Sequence, residues 1–283
     1  MTEAIASSLT MQDGTRLHVV DYHPAGPASG SVVILHGLGE HAGRYRHVAA
    51  FFTSRGYAVR TYDHRGHGRS EGKRGDVPGN DTLLDDAHAV MADWRAQPGT
   101  PSSPPLLLGH SMGGLFAARF ATDARVPLSG LVLSSPALAL PLNGAQKLLL
   151  ATLTALAPGL AVSNGLKVRY LSHDAAVVDA YKADPLVHDR ISARLLNAML
   201  AAISGAQQAA GSLSIPVLLL VAGQDRLVDA QGSRDFHAHL KPAQARLIEY
   251  PSLYHELFNE TDAAMVFGDL DDWLAGLRDR AAA

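Results

Sequence analysis

One serine, one aspartate and one histidine stand in positions where they could do nucleophilic chemistry together. Ser111 lies in Gly109-His110-Ser111-Met112-Gly113. The apolar run 106–108 before it reads as a buried strand, and 112–122 after it reads as a helix. Small residues on both sides let the chain turn sharply with the hydroxyl at the tip. Asp225 follows the apolar run 217–221, just past the end of a predicted buried strand. Asp229 and Asp235 compete with it, one shortly beyond and one in the next predicted helix, and both read as solvated surface residues. His255 sits in Tyr254-His255-Glu256, between the predicted last strand 246–250 and the last helix. A serine hydroxyl is a weak nucleophile until a neighbouring base takes its proton. His255 is the residue type for that base, and Asp225 the type that holds an imidazole in one tautomer and stabilises the imidazolium.

Acyl transfer also needs donors for a developing oxyanion. His36-Gly37-Leu38-Gly39 follows the β-branched run 31–35, and a turn there can aim a backbone N–H at the reacting carbonyl. The Leu38 and Met112 N–H groups are the expected pair, with His36 a structural loop residue. His64/His67 and His237/His239 are short pairs without further ligands at a convincing spacing, so no metal site is expected. Arg65, Arg69, Lys73 and Arg74 are interleaved with Asp63, Glu71 and Asp76, and read as a loop held by internal ion pairs. Gly37, Gly39 and Ala42 also satisfy a dinucleotide-binding spacing, with Asp63 ending the next strand. Glu40 would bring negative charge to a pyrophosphate, and that reading leaves Ser111, Asp225 and His255 unexplained.

These residues need a scaffold. The runs 17–22, 31–35, 58–62, 106–108, 131–133, 217–221 and 246–250 read as strands, alternating with helical spacing at 48–56, 83–94, 112–122 and 263–277. That alternation predicts an α/β fold with a mostly parallel, doubly wound sheet. Between 135 and 214 the interval far exceeds a crossover, which needs a dozen or so residues. The surplus, 137–211, is rich in Leu and Ala and is expected to form a helical cap on a core of 1–136 and 212–283. The chain has 283 residues, 47% hydrophobic and 18% charged, with net charge −3 and no cysteine. This composition excludes a disordered protein, a dedicated nucleic-acid binder, disulfides and a cysteine nucleophile. The stretch 148–166 is interrupted by Pro158, Gly159 and Gly165 and is a poor membrane span. No basic start followed by an apolar run is visible at the N-terminus, and a cytoplasmic location, peripheral at membranes, is expected.

The order Ser, Asp, His is that of α/β-hydrolases. The segment His36-Gly37-Leu38-Gly39-Glu40-His41-Ala42-Gly43-Arg44-Tyr45 resembles the HG-x-GEH-x-x-RY segment of monoacylglycerol lipases and related lysophospholipases. Asp63-His64-Arg65-Gly66-His67-Gly68-Arg69-Ser70 is similar to a second stretch of that family, and Tyr181 with Asp184-Pro185-Leu186 matches in the cap. The resemblance implies an α/β-hydrolase fold, Ser111 as nucleophile, Asp225 as acid, His255 as base, and Leu38 and Met112 as oxyanion donors. It also implies a polar role for Glu40 and Arg44 at the head-group end of the site, or, as such pairs are often architectural, Arg44 as a structural brace of the oxyanion turn against Glu40. Phe258 stands where some members carry a second histidine. The implied activity is hydrolysis of monoacyl lipid esters, a monoacylglycerol first and a lysophospholipid or simple carboxylic ester second, without metal or organic cofactor. The apolar stretch 146–166 is expected to line an acyl tunnel and to touch lipid surfaces transiently.

Overall fold

The computed structural model describes residues 4–282. Its main sheet has eight strands in the order β1-β2-β4-β3-β5-β6-β9-β10. β1 (Ala4–Thr10) and β2 (Arg16–Tyr22) form an antiparallel edge. From β4 onward every pairing is parallel: β3 (Gly30–Leu35), β4 (Tyr57–Tyr62), β5 (Leu106–His110), β6 (Gly130–Ser134), β9 (Val217–Ala222) and β10 (Ala245–Tyr250). The central strands are continuous apolar runs because both faces are covered. Val33, Leu35, Leu107 and Leu219 face α2 (Thr82–Ala96) and α3 (Met112–Thr122), whereas Val32, Ile34, Leu108 and Leu220 face α1 (Arg46–Thr53) and α8 (Ala263–Ala282).

Strand order does most of the positioning. The chain leaves β3 toward β4 on one side and returns to β5 on the other, so the C-terminal ends of β3 and β5 lie side by side, with Leu35 opposite Gly109. Such a reversal opens a crevice beyond the strand ends, where ligands bind in open α/β sheets. β9 and β10 are also neighbours, Ala222 opposite Tyr250, and the loops that follow them carry Asp225 and His255.

Between β6 and β9 lie α4 (Gly144–Leu156), β7 (Ala161–Ser163), α5 (Ala175–Ala183), β8 (Arg190–Ser192) and α6 (Ala193–Ala209), with β7 and β8 paired antiparallel. Within the 137–211 segment, α6 buries Leu195, Ala198, Met199 and Ala202 in the same cluster as α3 and the sheet. By packing, that helix is therefore continuous with the core. Its opposite is α4, none of whose residues is buried. The remaining helix, α7 (Ala230–His239), joins β9 to β10.

The β5–α3 turn packs hard against β3. A Cβ on Gly113 would lie 2.3 Å from the Leu35 carbonyl oxygen and 2.4 Å from that of His36, both backbone atoms of a central strand end. Gly113→Ala must therefore push two central elements apart, and overpacking of this kind costs about 1–3 kcal/mol or more. Thermal melting should show a clearly lowered transition. An unshifted one would mean that α3 slides freely over β3.

Candidate active site

β5 delivers Ser111 at φ 53°, ψ −118°, a left-handed conformation that a side-chain-bearing residue adopts at a cost of about 1–3 kcal/mol. Backbone hydrogen bonds hold it there. Ser111 N–H donates to Ser134 O at 3.0 Å, and the Ser111 carbonyl accepts from Leu115 N–H at 3.0 Å and Ala137 N–H at 2.9 Å. The hydroxyl has no partner among the described residues, and Ser111 lines a cavity of 60 Å³ with His110, His255, Glu40, Glu256 and Tyr181.

Asp225 and His255 meet as their strand ends predict. Asp225 Oδ1 accepts from Leu227 N–H at 2.8 Å and Val228 N–H at 3.1 Å, and Oδ2 faces His255 Nδ1 at 2.6 Å. A carboxylate only accepts, so Nδ1 carries the proton and neutral His255 keeps Nε2 free to take another. Burial alone would push the imidazole down, but the facing Asp225 carboxylate, helped by Glu256 and Glu40, holds it above its ordinary value. Asp225 lies below its own ordinary value, since His255 and the two N–H donors outweigh its burial. Neither rival aspartate competes: Asp229 caps α7 through Gln231 N–H at 2.9 Å, and Asp235 accepts from exposed Gln231 at 2.7 Å.

The turn after β3 is braced from three sides. His36 Nε2 accepts from His64 N–H at 2.8 Å, which puts the ring proton on Nδ1, facing Gly37 O at 2.8 Å. His36 is a brace, held neutral by burial and by its histidine neighbours. Asp63 accepts from Ala42 N–H at 2.8 Å and Arg69 N–H at 2.7 Å, so it is engaged by protein backbone. From the inserted segment, His188 N–H donates to Gly39 O at 2.8 Å, and Asp184 faces His41 Nε2 at 2.8 Å. Gly39, at φ +79°, is required here, because a Cβ would lie 2.3 Å from His188 O. The Leu38 N–H remains without a partner among the described residues. That of Met112, in the first turn of α3, is one of the donors every helix start leaves open. Both residues line the Ser111 cavity.

Glu40 and Arg44 belong to a buried ionic clamp whose third member, Glu256, the sequence did not announce. Glu40 Oε1 accepts from Gly37 N–H and Tyr45 O–H, each at 2.6 Å, and Oε2 from Arg44 Nη1 at 2.5 Å. Arg44 also grips both oxygens of Glu256, at 2.6 and 2.7 Å, and lies 4.8 Å from the Tyr181 ring centre. Glu40 lines the Ser111 cavity and Arg44 does not. Arg44 thus joins the turn after β3 to the loop that carries His255, a bracing arrangement that includes the Glu40 contact weighed from sequence beside a head-group role. The other partner, Glu256, lies 212 positions away, and its only visible signal is an acid directly after the histidine. Phe258 packs into the core on the α1 and α8 side of the sheet, 5.1 Å from the Phe267 ring, and does not line the cavity. Contrary to expectation, the basic loop is not held by ion pairs within itself: Arg65 pairs with Asp13 and Asp86, Glu71 with Arg16 and Asp76 with Arg194, all outside the loop, while Arg74 donates to Gly68 O at 2.7 Å.

The Ser111 cavity shares Leu38, Leu140, Leu166, Met199, Leu227 and Val228 with a neighbouring cavity of 880 Å³, which is walled further by Leu149, Leu150 and Leu153 of α4. No group of metal-ligating side chains occurs among the described residues.

Residues 26–262 match the Hydrolase_4 family, described as serine aminopeptidase, S33. The chain is 39% identical to a monoacylglycerol lipase of Mycolicibacterium smegmatis, over 92% of this chain and 93% of that one. It is 33% identical to the phospholipase YtpA of Bacillus subtilis, over 83% and 91% of the two chains. The crystal structure of a Paleococcus ferrophilus monoacylglycerol lipase matches with a TM-score of 0.82 and 31% identity, covering 97% of this chain and 99% of that one.

Two expectations follow from this geometry. Asp225→Asn should lower ester turnover by up to about 10⁴, the loss that the same exchange causes in a serine protease. Asp229→Asn, which preserves an N-cap, should cost little. In the parent the acid limb of kcat/KM should fall above the ordinary imidazole value of about 6.5, because the base must be neutral and its pKa is raised. In any residual activity of Asp225→Asn the limb should move down, and the reverse ranking of the two variants would move the acid to Asp229. Arg44→Met leaves two buried carboxylates facing each other. It should destabilise the fold by about 3–5 kcal/mol, read as a lowered melting temperature, with turnover reduced alike on every ester.

Proposed function

The chain belongs to the Hydrolase_4 family, and we propose that it hydrolyses monoacylglycerols through Ser111, His255 and Asp225. The observation that carries this reading is the Asp225–His255 pair at 2.6 Å, facing the same cavity as a serine held at a strained strand-to-helix turn.

In the proposed mechanism His255 Nε2 takes the Ser111 proton as Oγ bonds to the ester carbonyl carbon. The Leu38 and Met112 N–H groups receive the oxyanion. Collapse breaks the C–O bond, and His255 returns the proton to the departing alcohol. Water then repeats the sequence, protonated Ser111 leaves, and the fatty acid is released. The acyl chain would occupy the leucine-walled 880 Å³ cavity, within the usual range for small-molecule sites.

Electrostatics favours a neutral alcohol. Glu40 and Glu256 both line the Ser111 cavity and Asp225 stands behind His255, against one guanidinium, Arg44. A phosphodiester beside the ester would add a further negative charge to that wall, and like charges brought together cost several kcal/mol. A lysophospholipid is thereby disfavoured relative to glycerol. The same saturation argues against a peptide α-ammonium, since each of these carboxylates already holds a partner.

No helix among the described residues is long and apolar enough to cross a membrane. α4 nevertheless exposes Leu148 and Leu156 at 70% and 80%. An exposed apolar helix of this kind suits transient contact with a lipid surface, lying in the interface rather than spanning it.

Ser111→Ala should retain the fold and lose turnover of all esters, and a fluorophosphonate should label Ser111 alone in the parent. In a panel sharing one acyl chain, monooleoylglycerol should exceed lysophosphatidylcholine by about tenfold or more. Lysophosphatidylcholine turned over equally well or better would contradict the head-group assignment while leaving the ester chemistry in place.

A further inference from the structure

Around Tyr170, at the edge of the 880 Å³ cavity, stand three cations that no described residue neutralises. Lys167, Tyr170 and Arg226 line that cavity. The Arg169 and Arg226 guanidinium carbons lie 4.7 and 5.7 Å from the Tyr170 ring centre, and Arg169 Nη2 donates to the Tyr170 hydroxyl at 3.1 Å. All three cations are exposed, and among the described residues none is ion-paired. Single exposed arginines such as Arg46 and Arg95 are also without an ion pair among the described residues, but here three cations gather about one ring, while the half-buried Arg234, on the same cavity, holds Glu249. Nearby carboxylates are engaged, Asp225 by His255 and Asp229 by the start of α7. The local field is strong enough to pull the Tyr170 phenol below its ordinary value, through the Arg169 hydrogen bond first and then the charges of Arg169, Arg226 and Lys167. In a chain of net charge −3, an uncompensated cationic cluster at one cavity edge is a local reversal of sign.

We propose that Lys167, Arg169 and Arg226 form a cationic rim that docks the cavity mouth onto an anionic lipid bilayer. The occupant follows from what flanks the rim. Leu149 of α4 lines the same cavity and is 53% exposed, so apolar and cationic side chains are presented together. That pairing is how peripheral proteins engage anionic membranes: apolar groups enter the acyl boundary and cations meet the charged surface. A phosphate on the substrate itself is the poorer match, because the walls around Ser111 carry carboxylates. The rim rests on reading the large cavity as the acyl entrance, and it adds a preference for membrane charge that the ester chemistry does not require.

The test uses the full chain carrying Ser111→Ala, so that lipid hydrolysis does not intrude and a failed ester-hydrolase reading leaves the measurement intact. Binding is measured by co-sedimentation with phosphatidylcholine vesicles, with and without added phosphatidylglycerol, at low and high salt. Anionic vesicles should bind more tightly, and salt should erase the difference. Each cation removed should weaken anionic binding about fivefold, so Lys167→Glu/Arg169→Glu/Arg226→Glu should abolish the preference. Lys241→Glu, on the loop after α7, makes the same kind of charge change elsewhere and should leave it. Thermal melting reports whether the triple variant folds; if it does not, Lys167→Gln and Arg226→Gln singly carry the test. Equal binding to both vesicle types, a triple variant that binds like its parent, or an equal loss from Lys241→Glu would overturn the proposal.

Discussion

A single guanidinium held between two buried carboxylates joins the halves of this site. β10 lies three strand intervals from β5, roughly 14 Å across the sheet. The loop after β10 must return over that span before His255 can face Ser111. Arg44 provides the anchor, gripping Glu256 beside the histidine while Glu40 ties it to the turn after β3. Two further bonds fix the same loop, Glu256 N–H to Leu171 O at 2.8 Å and Asn259 Nδ2 to Glu256 Oε2 at 2.9 Å. Burying three charges costs more than their attraction returns unless every lone pair is satisfied, and here the remaining ones are taken by Gly37 N–H, Tyr45 O–H and Asn259.

The clamp also shapes the electrostatics around the histidines. His110 and His255 have ring centres 4.7 Å apart and are both buried, yet they shift in opposite directions. His110 is pushed down to about 4 by burial and by the nearby His255, and its Nδ1 faces only the Ser134 hydroxyl, at 3.2 Å. Burial acts on His255 too, but there a carboxylate at 2.6 Å overrides it. Neighbouring groups whose environments separate their pKa values mark a division of roles. One imidazole stays neutral and the other can accept a proton without a second cation beside it.

Most of the frame was legible because it rests on local patterns. The buried strands are unbroken apolar runs, and the helix over 112–122 agrees with α3 (Met112–Thr122). β1 was invisible for the opposite reason: its strand lies at the sheet edge and six of its seven residues are exposed, so no hydrophobic periodicity marks it. The long interval after β6 announced an insertion, but not that α6 would pack on α3 while α4 stayed unburied, since both are Leu- and Ala-rich. At the site, Ser111, Asp225 and His255 could be picked out because each follows a recognisable strand. Glu256 could not, because an acid beside a histidine has no signature until folding brings Arg44 to it. For the same reason the sequence offered Arg44 as a brace for Glu40 or a head-group contact, but not as the grip on a second carboxylate.

The central claim is that a covalent acyl intermediate forms on Ser111 with His255 as the base. Rapid acid quenching of the protein with monooleoylglycerol, followed by peptide mass spectrometry, tests it most directly. An oleoyl adduct confined to the peptide containing Ser111, and absent from His255→Ala quenched at the same time, is the predicted result. Hydrolysis that proceeds with no adduct at any quench time, or an adduct on another residue, would contradict it.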